Sequence, residues 1–367
     1  MKNPAAASSS TMTDHLLAAY RPIYQRTRGS FLESVHFGAV AVVDPAGVLI
    51  ARYGRPQTTT FLRSSAKPFQ ALPLVERGGL EAFEITDREL ALICASHSGA
   101  PVHLEVLAGL QAKLDISQED LACGTHLPFH PGSRKELICR GEDPSPNHHN
   151  CSGKHTGMIA LAKLLNVSPQ GYTEARHPVQ QVILQTTAEM CSVPEDNLLI
   201  SRDGCSVVTF GMPLQNAALG WARLTAAANL SSQREKACRK IVQALQKHPE
   251  MVAGPERFDT NLIQQAGTVL IAKAGAEAFQ AIGVFPQASS KYPQGLGIAI
   301  KISDGDRGKT VRSAAALETL RQLEILKDDQ LSELSRFGPV LPLRNQRELL
   351  VGEGKPCFQL EYGEDHE

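Results

Sequence analysis

A chain of 367 residues, 42% of them apolar, is long enough for one large domain or two ordinary ones and can bury a substantial core. Its 37 basic and 38 acidic side chains give a net charge of −1 with no Lys/Arg run. This argues against a nucleic acid or an anionic membrane surface as the main partner.

Residues 1–20 read as a disordered or loosely attached leader: 1–14 lack the apolar core of a secretory signal. Val40-Ala41-Val42-Val43 and Val48-Leu49-Ile50-Ala51, joined by Asp44-Pro45-Ala46-Gly47, predict a hairpin, because Pro presets φ and Gly takes the left-handed position. Thr86 with Glu89 three residues on predicts a capping box in front of Leu90, Ala91 and Ile93. Helical runs follow at 103–114, 156–165, 179–191, 214–224 and 234–246, then a strand pair at 280–285 and 296–302, then a helix at 310–326. Strands towards both ends with helices between them predict an α+β domain whose terminal strands meet in one sheet. We expect one domain over 21–360, with the acidic tail 361–367 frayed. No apolar run approaches the roughly 18 residues of a membrane span. The eight cysteines contain no CxxC pair and are too sparse for a disulfide framework. The expectation is a cytoplasmic protein with reduced thiols.

Four segments gather reactive side chains. In Phe61-Leu62-Arg63-Ser64-Ser65-Ala66-Lys67-Pro68-Phe69, Ser64 and Lys67 have the spacing that shares a helical face. Pro68 is tolerated only in a first helical turn, so a helix starting here puts Ser64 at or just before its N-terminus. A serine hydroxyl needs a base, and a lysine serves as one only when burial or a neighbouring cation depresses its pKa. The plain alternative is a serine cap and a surface lysine. Cys94-Ala95-Ser96-His97-Ser98-Gly99 reads, taken alone, as the polar exit of an apolar helix.

The densest cluster is His148-His149-Asn150-Cys151-Ser152-Gly153-Lys154-His155-Thr156-Gly157. Cys151 there is a candidate thiolate nucleophile beside Lys154 and His155, or a metal ligand. Arg202-Asp203-Gly204-Cys205-Ser206 supplies a partner cysteine. Two thiolates with one nitrogen donor leave an open coordination position and suit zinc by softness. Two buried apolar cysteines are the alternative.

Taken together these stretches resemble the bacterial type II L-asparaginase family of the Rhizobium etli kind. The resemblance spans roughly 28–308 and also rests on Arg257-Phe258-Asp259-Thr260 and Lys273-Ala274-Gly275-Ala276-Glu277. It implies an antiparallel sheet packed with helices, similar to serine β-lactamases and glutaminases, and a homodimer. It implies two serine–lysine pairs, Ser64 with Lys67 and Ser96 with Lys273, and zinc held by Cys151, Lys154 and Cys205. The expected reaction is hydrolysis of L-asparagine to L-aspartate and ammonia through an acyl-serine, with Lys67 as the neutral base for Ser64. Arg63 is expected to hold the substrate carboxylate, Asp203 its ammonium, and His155 the substrate or a ligand. Two other classes stay open: a related amidohydrolase such as a glutaminase or β-lactamase-like enzyme, and a non-enzymatic zinc or redox sensor on Cys151 and Cys205. Gly308-Lys309-Thr310 lacks the glycine that would complete a β-lactamase-type KTG match.

Overall fold

The computed structural model describes residues 19–363. Twelve strands are present among them: β1 (Arg21–Arg28), β2 (Phe31–Val43), β3 (Leu49–Tyr53), β4 (Thr59–Phe61), β5 (Leu199–Arg202), β6 (Val208–Pro213), β7 (Leu270–Gly275), β8 (Phe279–Val284), β9 (Leu296–Ile302), β10 (Leu341–Arg344), β11 (Leu350–Pro356) and β12 (Glu361–Tyr362). Nine of them form one antiparallel sheet in the order β10-β11-β1-β2-β9-β8-β7, with β3 beside the second half of β2 and β12 beside β3. A small second sheet runs β4-β6-β5.

The helices that matter for the site are α1 (Lys67–Glu76), α2 (Asp87–Ile93), α3 (Pro101–Leu114), α4 (Ser152–Leu164), α5 (Pro178–Cys191), α6 (Leu214–Ala226), α7 (Ser232–Lys247), α8 (Phe258–Ala266) and α9 (Val311–Gln322). The expected α+β class holds, and terminal strands from both ends of the chain meet in the central sheet.

The expected hairpin is β2–β3. Asp44 closes its turn by accepting the amides of Ala46 and Val48 at 2.9 Å each, and Gly47 takes φ 96°. The capping box at Thr86 is formed: its hydroxyl accepts the Glu89 amide, and the Glu89 carboxylate accepts the Thr86 amide.

One expectation about the ends needs correction. The tail expected to fray from residue 361 begins instead with β12, whose Glu361 and Tyr362 register with Arg52 and Ala51. Ladder bonds and the part-buried Tyr362 hydroxyl on Gln322 O (2.9 Å) hold it there. Residues 364–367 lie outside the described residues, as does the expected leader apart from Ala19 and Tyr20. Ala19 is buried, and its carbonyl accepts the Arg55 amide. No helix among the described residues is long and apolar enough to cross a membrane.

β8 is buried throughout, and β9 nearly so, because both faces of the sheet are covered. α6 packs on β2, β8 and β9, and α9 packs on β1, β8, β9 and β11. α6 lies almost on the backbone of β9: a Cβ added at Gly297 would sit 1.8 Å from Ala218 O and 2.5 Å from Ala222 N. Backbone cannot yield as a flexible side chain can. Gly297→Ala is therefore expected to cost about 3 kcal/mol of stability, at the upper end for overpacking. Denaturant titration checks this; an unchanged midpoint would mean that α6 stands further from the sheet.

The remaining helices form a layer around α1. From Lys67 to Val75 every residue of α1 is buried, against α4, α5 and α7. A helix apolar on all sides belongs in an interior, and here that interior ends at the candidate site.

Candidate active site

Helix α1 starts at Lys67, with Pro68 in its first turn, as the proline rule requires. Residues Arg63–Ala66 form a single 3₁₀ turn before it, so Ser64 precedes the helix. The end of β7 closes on this turn because residue 275 is glycine: a Cβ there would lie 2.4 Å from Leu62 O. That approach brings Lys273, on β7, to the serine turn.

Ser96 follows α2 on the loop, its amide donating to Val252 O at 2.9 Å. α4 presses against the end of α2 through Gly153 and Gly157, where a Cβ would fall 2.4 Å from Leu92 O and 2.6 Å from an Ile93 methyl. Asn150, just before α4, is thereby held beside Ser96, and its amide donates to His126 Nε2 at 3.0 Å.

Both lysines converge on Ser96. Lys67 Nζ lies 3.0 Å and Lys273 Nζ 2.9 Å from Ser96 Oγ. Both amines are buried, with exposures of 1% and 0%. Lys67 donates in addition to Ala95 O and to Asn150 O (3.4 Å). Three acceptors satisfy the three donors of an ammonium group.

Burial pulls the Lys273 pKa down from its ordinary value to about 7; Asp259 opposes this, while Lys67, Arg257 and Arg312 add to it. Asp259 is itself fixed by the Ala274 amide (2.7 Å) and Gln280 Nε2 (3.1 Å). Burial would raise its pKa, but Arg312, Lys273 and those hydrogen bonds hold its carboxyl below the usual value. Ser64 makes no side-chain hydrogen bond to Lys67 or to any other described residue. The Ser96–Lys273 contact that the resemblance implies is present, but Lys67, which the spacing paired with Ser64, meets Ser96 as well, so one hydroxyl stands between two amines.

Ser64 and Ser96 open into a cavity of about 540 Å³. Its wall includes Asn150, Phe129, Arg257, Glu277, Lys309 and Arg312. Arg63 and Asp203 are not among its lining residues. They pair with each other, Arg63 Nε and Nη2 donating to Asp203 Oδ1 at 2.8 and 2.7 Å. The pair ties the turn after β5 to the serine turn, where Arg63 takes a left-handed φ of 52°. With each side chain neutralised by the other, the expected anchoring of substrate carboxylate by Arg63 and ammonium by Asp203 has no support in this geometry. His155 is also away from the cavity wall, fully buried with Nδ1 on the Tyr172 hydroxyl at 2.5 Å.

A family model described as L-asparaginase II matches residues 24–356. The chain belongs to the L-asparaginase II family. It is accordingly an amidohydrolase with a small-molecule substrate. No curated protein matches it. Among solved structures it is similar to one titled "Crystal Structure Analysis of Mglu in its native form", with 15% identity, 80% of this chain and 66% of that chain covered, and a TM-score of 0.42. It is also similar to "Probable glutaminase from Bacillus subtilis complexed with 6-diazo-5-oxo-L-norleucine", with 14% identity, 78% and 84% covered, and a TM-score of 0.38. Likeness at that level carries nothing about substrate.

In this member of the L-asparaginase II family the two expected cysteines meet. Lys154 Nζ donates to Cys205 Sγ at 2.9 Å, and Cys151 lies beside Cys205. That proximity, foremost, holds the Cys151 thiol well below its ordinary value and pushes Cys205 up. Burial would lower the Lys154 pKa, but the charge of the two cysteines more than offsets it.

Among the described residues no three His, Cys, Asp or Glu side chains form a metal cluster, so a metal here must take the Lys154 amine. The donors fit a soft divalent ion on that condition. The buried His155 Nε2, which has no hydrogen-bond partner, is a further nitrogen facing Cys205. Cys151, Lys154 and Cys205 would hold the ion, and its charge would replace the Lys154 proton that now balances the thiolate.

Residue reasoning missed Asn150, Arg257, Lys309 and Arg312. Arg257 stood inside a quoted motif without a role. Lys309 stood inside the rejected KTG-like triplet, whose fit to another family was a different question from where its lysine points.

Proposed function

We propose that the protein is an L-asparaginase in which Ser96 is the nucleophile and Lys273 its base. The observation that carries this is the Ser96 hydroxyl 2.9 Å from a fully buried amine whose pKa lies at about 7. A base is most effective with its pKa near the working pH. The expected pairing of Ser64 with a neutral Lys67 is therefore exchanged for Ser96 with a neutral Lys273. Ser96 Oγ attacks the side-chain amide carbon while its proton passes to Lys273 Nζ. Lys67, donating to Ser96 Oγ, stabilises the developing alkoxide. Lys273 returns the proton to the leaving nitrogen, ammonia departs and a β-aspartyl ester remains on Ser96. Water, deprotonated by Lys273, opens the ester to L-aspartate. Ser64, on the same wall, contributes a hydroxyl donor to the oxyanion.

Zinc on Cys151, Lys154 and Cys205 belongs to this reading as a charge that fixes the Asn150 loop. A homodimer does too, supported by the exposed apolar side chains Phe31, Leu32, Val340, Leu349 and Leu350 around the β1–β2 and β10–β11 hairpins.

The test is ammonia release. A cavity of about 540 Å³ admits the homologue with one more methylene, so L-glutamine is the comparison substrate. One methylene is worth about 10–200-fold in discrimination. The expected kcat/KM favours L-asparagine within that range. A preference for L-glutamine would make the protein a glutaminase, and no ammonia from either would remove the reading.

A further inference from the structure

Three guanidinium groups line the cavity, those of Arg257, Arg307 and Arg312, and none makes an ion pair among the described residues; Arg257 and Arg312 are the two that act on the charge of Lys273. Arg257 stands at the N-cap of α8, and Arg312 in the first turn of α9. Among the described residues neither side chain makes an ion pair or a hydrogen bond. The Arg257 guanidinium lies 5.6 Å from the centroid of the Phe129 ring, which orients it as a cation over an aromatic face. Arg312 is placed by its backbone amide, which donates to Asp306 Oδ2 at 3.0 Å.

No neighbouring carboxylate pairs with either guanidinium among the described residues, and Asp306 meets Arg312 only through the backbone amide. Asp259 holds Ala274 and Gln280, and Asp304 holds His36 Nδ1 at 2.6 Å and the Asp306 amide at 2.9 Å. Glu277 sits against Gly305, where a Cβ would come within 2.5 Å of its Oε2. Arg257 and Arg312 feel the charge of Asp259 but make no direct ion pair among the described residues, so on the wall that also carries Ser64 and Ser96 their donors are left for an anion on the ligand.

Resting on the asparaginase reading, we propose that Arg257 and Arg312 together bind the α-carboxylate of the substrate, which restricts the site to free amino-acid amides. A planar guanidinium matches a carboxylate in two parallel hydrogen bonds, and a pair of them leaves no room for the carboxyl to be amidated or continued as a peptide. Both groups line the same cavity as Ser96, so a short molecule held by them lies along the wall that carries the nucleophile. The role expected of Arg63 moves to this pair.

The experiment compares L-asparagine with 3-aminopropanamide, which keeps the amide and the amine and lacks the α-carboxylate. In Arg257→Gln and Arg312→Gln the KM for L-asparagine should rise roughly 30-fold, as loss of a charged hydrogen bond implies. Removing either charge also lets the Lys273 pKa rise, so both substrates are compared on the alkaline plateau, where that amine is neutral in every variant. There the kcat for L-asparagine should stay within about threefold, the signature of lost ground-state binding, and the kcat/KM for 3-aminopropanamide should not move. Arg312→Lys, which keeps the charge and loses the fork, should fall between wild type and Arg312→Gln. An unchanged KM, or an equal loss on both substrates, overturns the proposal.

Calorimetric titration with L-aspartate reads the anchor without turnover: it should bind the wild type and bind each Gln variant roughly 30-fold more weakly. Equal binding to all, or none to the wild type, also overturns it. If the wild type releases no ammonia but keeps arginine-dependent L-aspartate binding, the asparaginase reading falls and the anchor stands.

Discussion

Ser96→Ala is expected to lower kcat for ammonia release from L-asparagine by about 10⁴-fold or more, the scale on which enzymes lose rate with their nucleophile. Ser64→Ala should lose about 10²–10³-fold, as for a donor to the oxyanion. The asymmetry follows from contacts. Ser96 Oγ lies within 3.0 Å of two buried amines, whereas Ser64 makes no side-chain hydrogen bond among the described residues. Rapid-quench measurement of the ammonia burst in each variant separates acylation from later steps. The reverse order, with Ser64→Ala the more damaged, would make Ser64 the nucleophile and Ser96 its proton relay.

The second large effect is in pH. Only neutral Lys273 can accept the Ser96 proton, so kcat/KM should rise tenfold per pH unit below about 7 and level off above it. Lys273→Arg keeps the charge but cannot lose its proton. It should lower kcat by about 10³-fold and abolish the limb near neutrality. Asp259 raises the Lys273 pKa, so Asp259→Asn should move the same limb towards acid. A limb unmoved by Asp259→Asn and retained in Lys273→Arg would assign the titration to another group.

Much of this architecture was legible from local chemistry. The Asp44–Gly47 turn, the Thr86 box and the proline after Lys67 each carry their own structural instruction, and each appears where its residues required it. Strand β7 was missed because Leu270-Ile271-Ala272-Lys273-Ala274-Gly275 does not alternate. It is covered on both faces over its first four residues, and its lysine is buried, which no local pattern announces. The strands after residue 327 were missed for a different reason: β10 has only four residues and β11 mixes glycines, Glu353 and Lys355 with few apolar residues, and they gain a place by β11 pairing with β1 and β10 with β11.

The serine–lysine assignment shows the same division. Chain spacing suggested Ser64 with Lys67, whereas the contact that forms, Lys67 with Ser96, depends on how α1 meets the loop after α2. Gly153, Gly157 and Gly275 set those approaches. Their meaning lies in the atoms opposite them, which the one-dimensional text does not contain.

The groups around Ser96 come from Lys67, Asn150 and Lys273, on a helix start, a loop and a strand near an edge of the sheet. No stretch of chain shorter than some two hundred residues contains them all. Loop-closure entropy on that scale must be overcome before the two amines can meet the hydroxyl. A nascent or partly unfolded chain therefore has no weakened version of this centre. Competence arrives late and all at once, when the strand carrying Lys273 docks against the turn at Leu62.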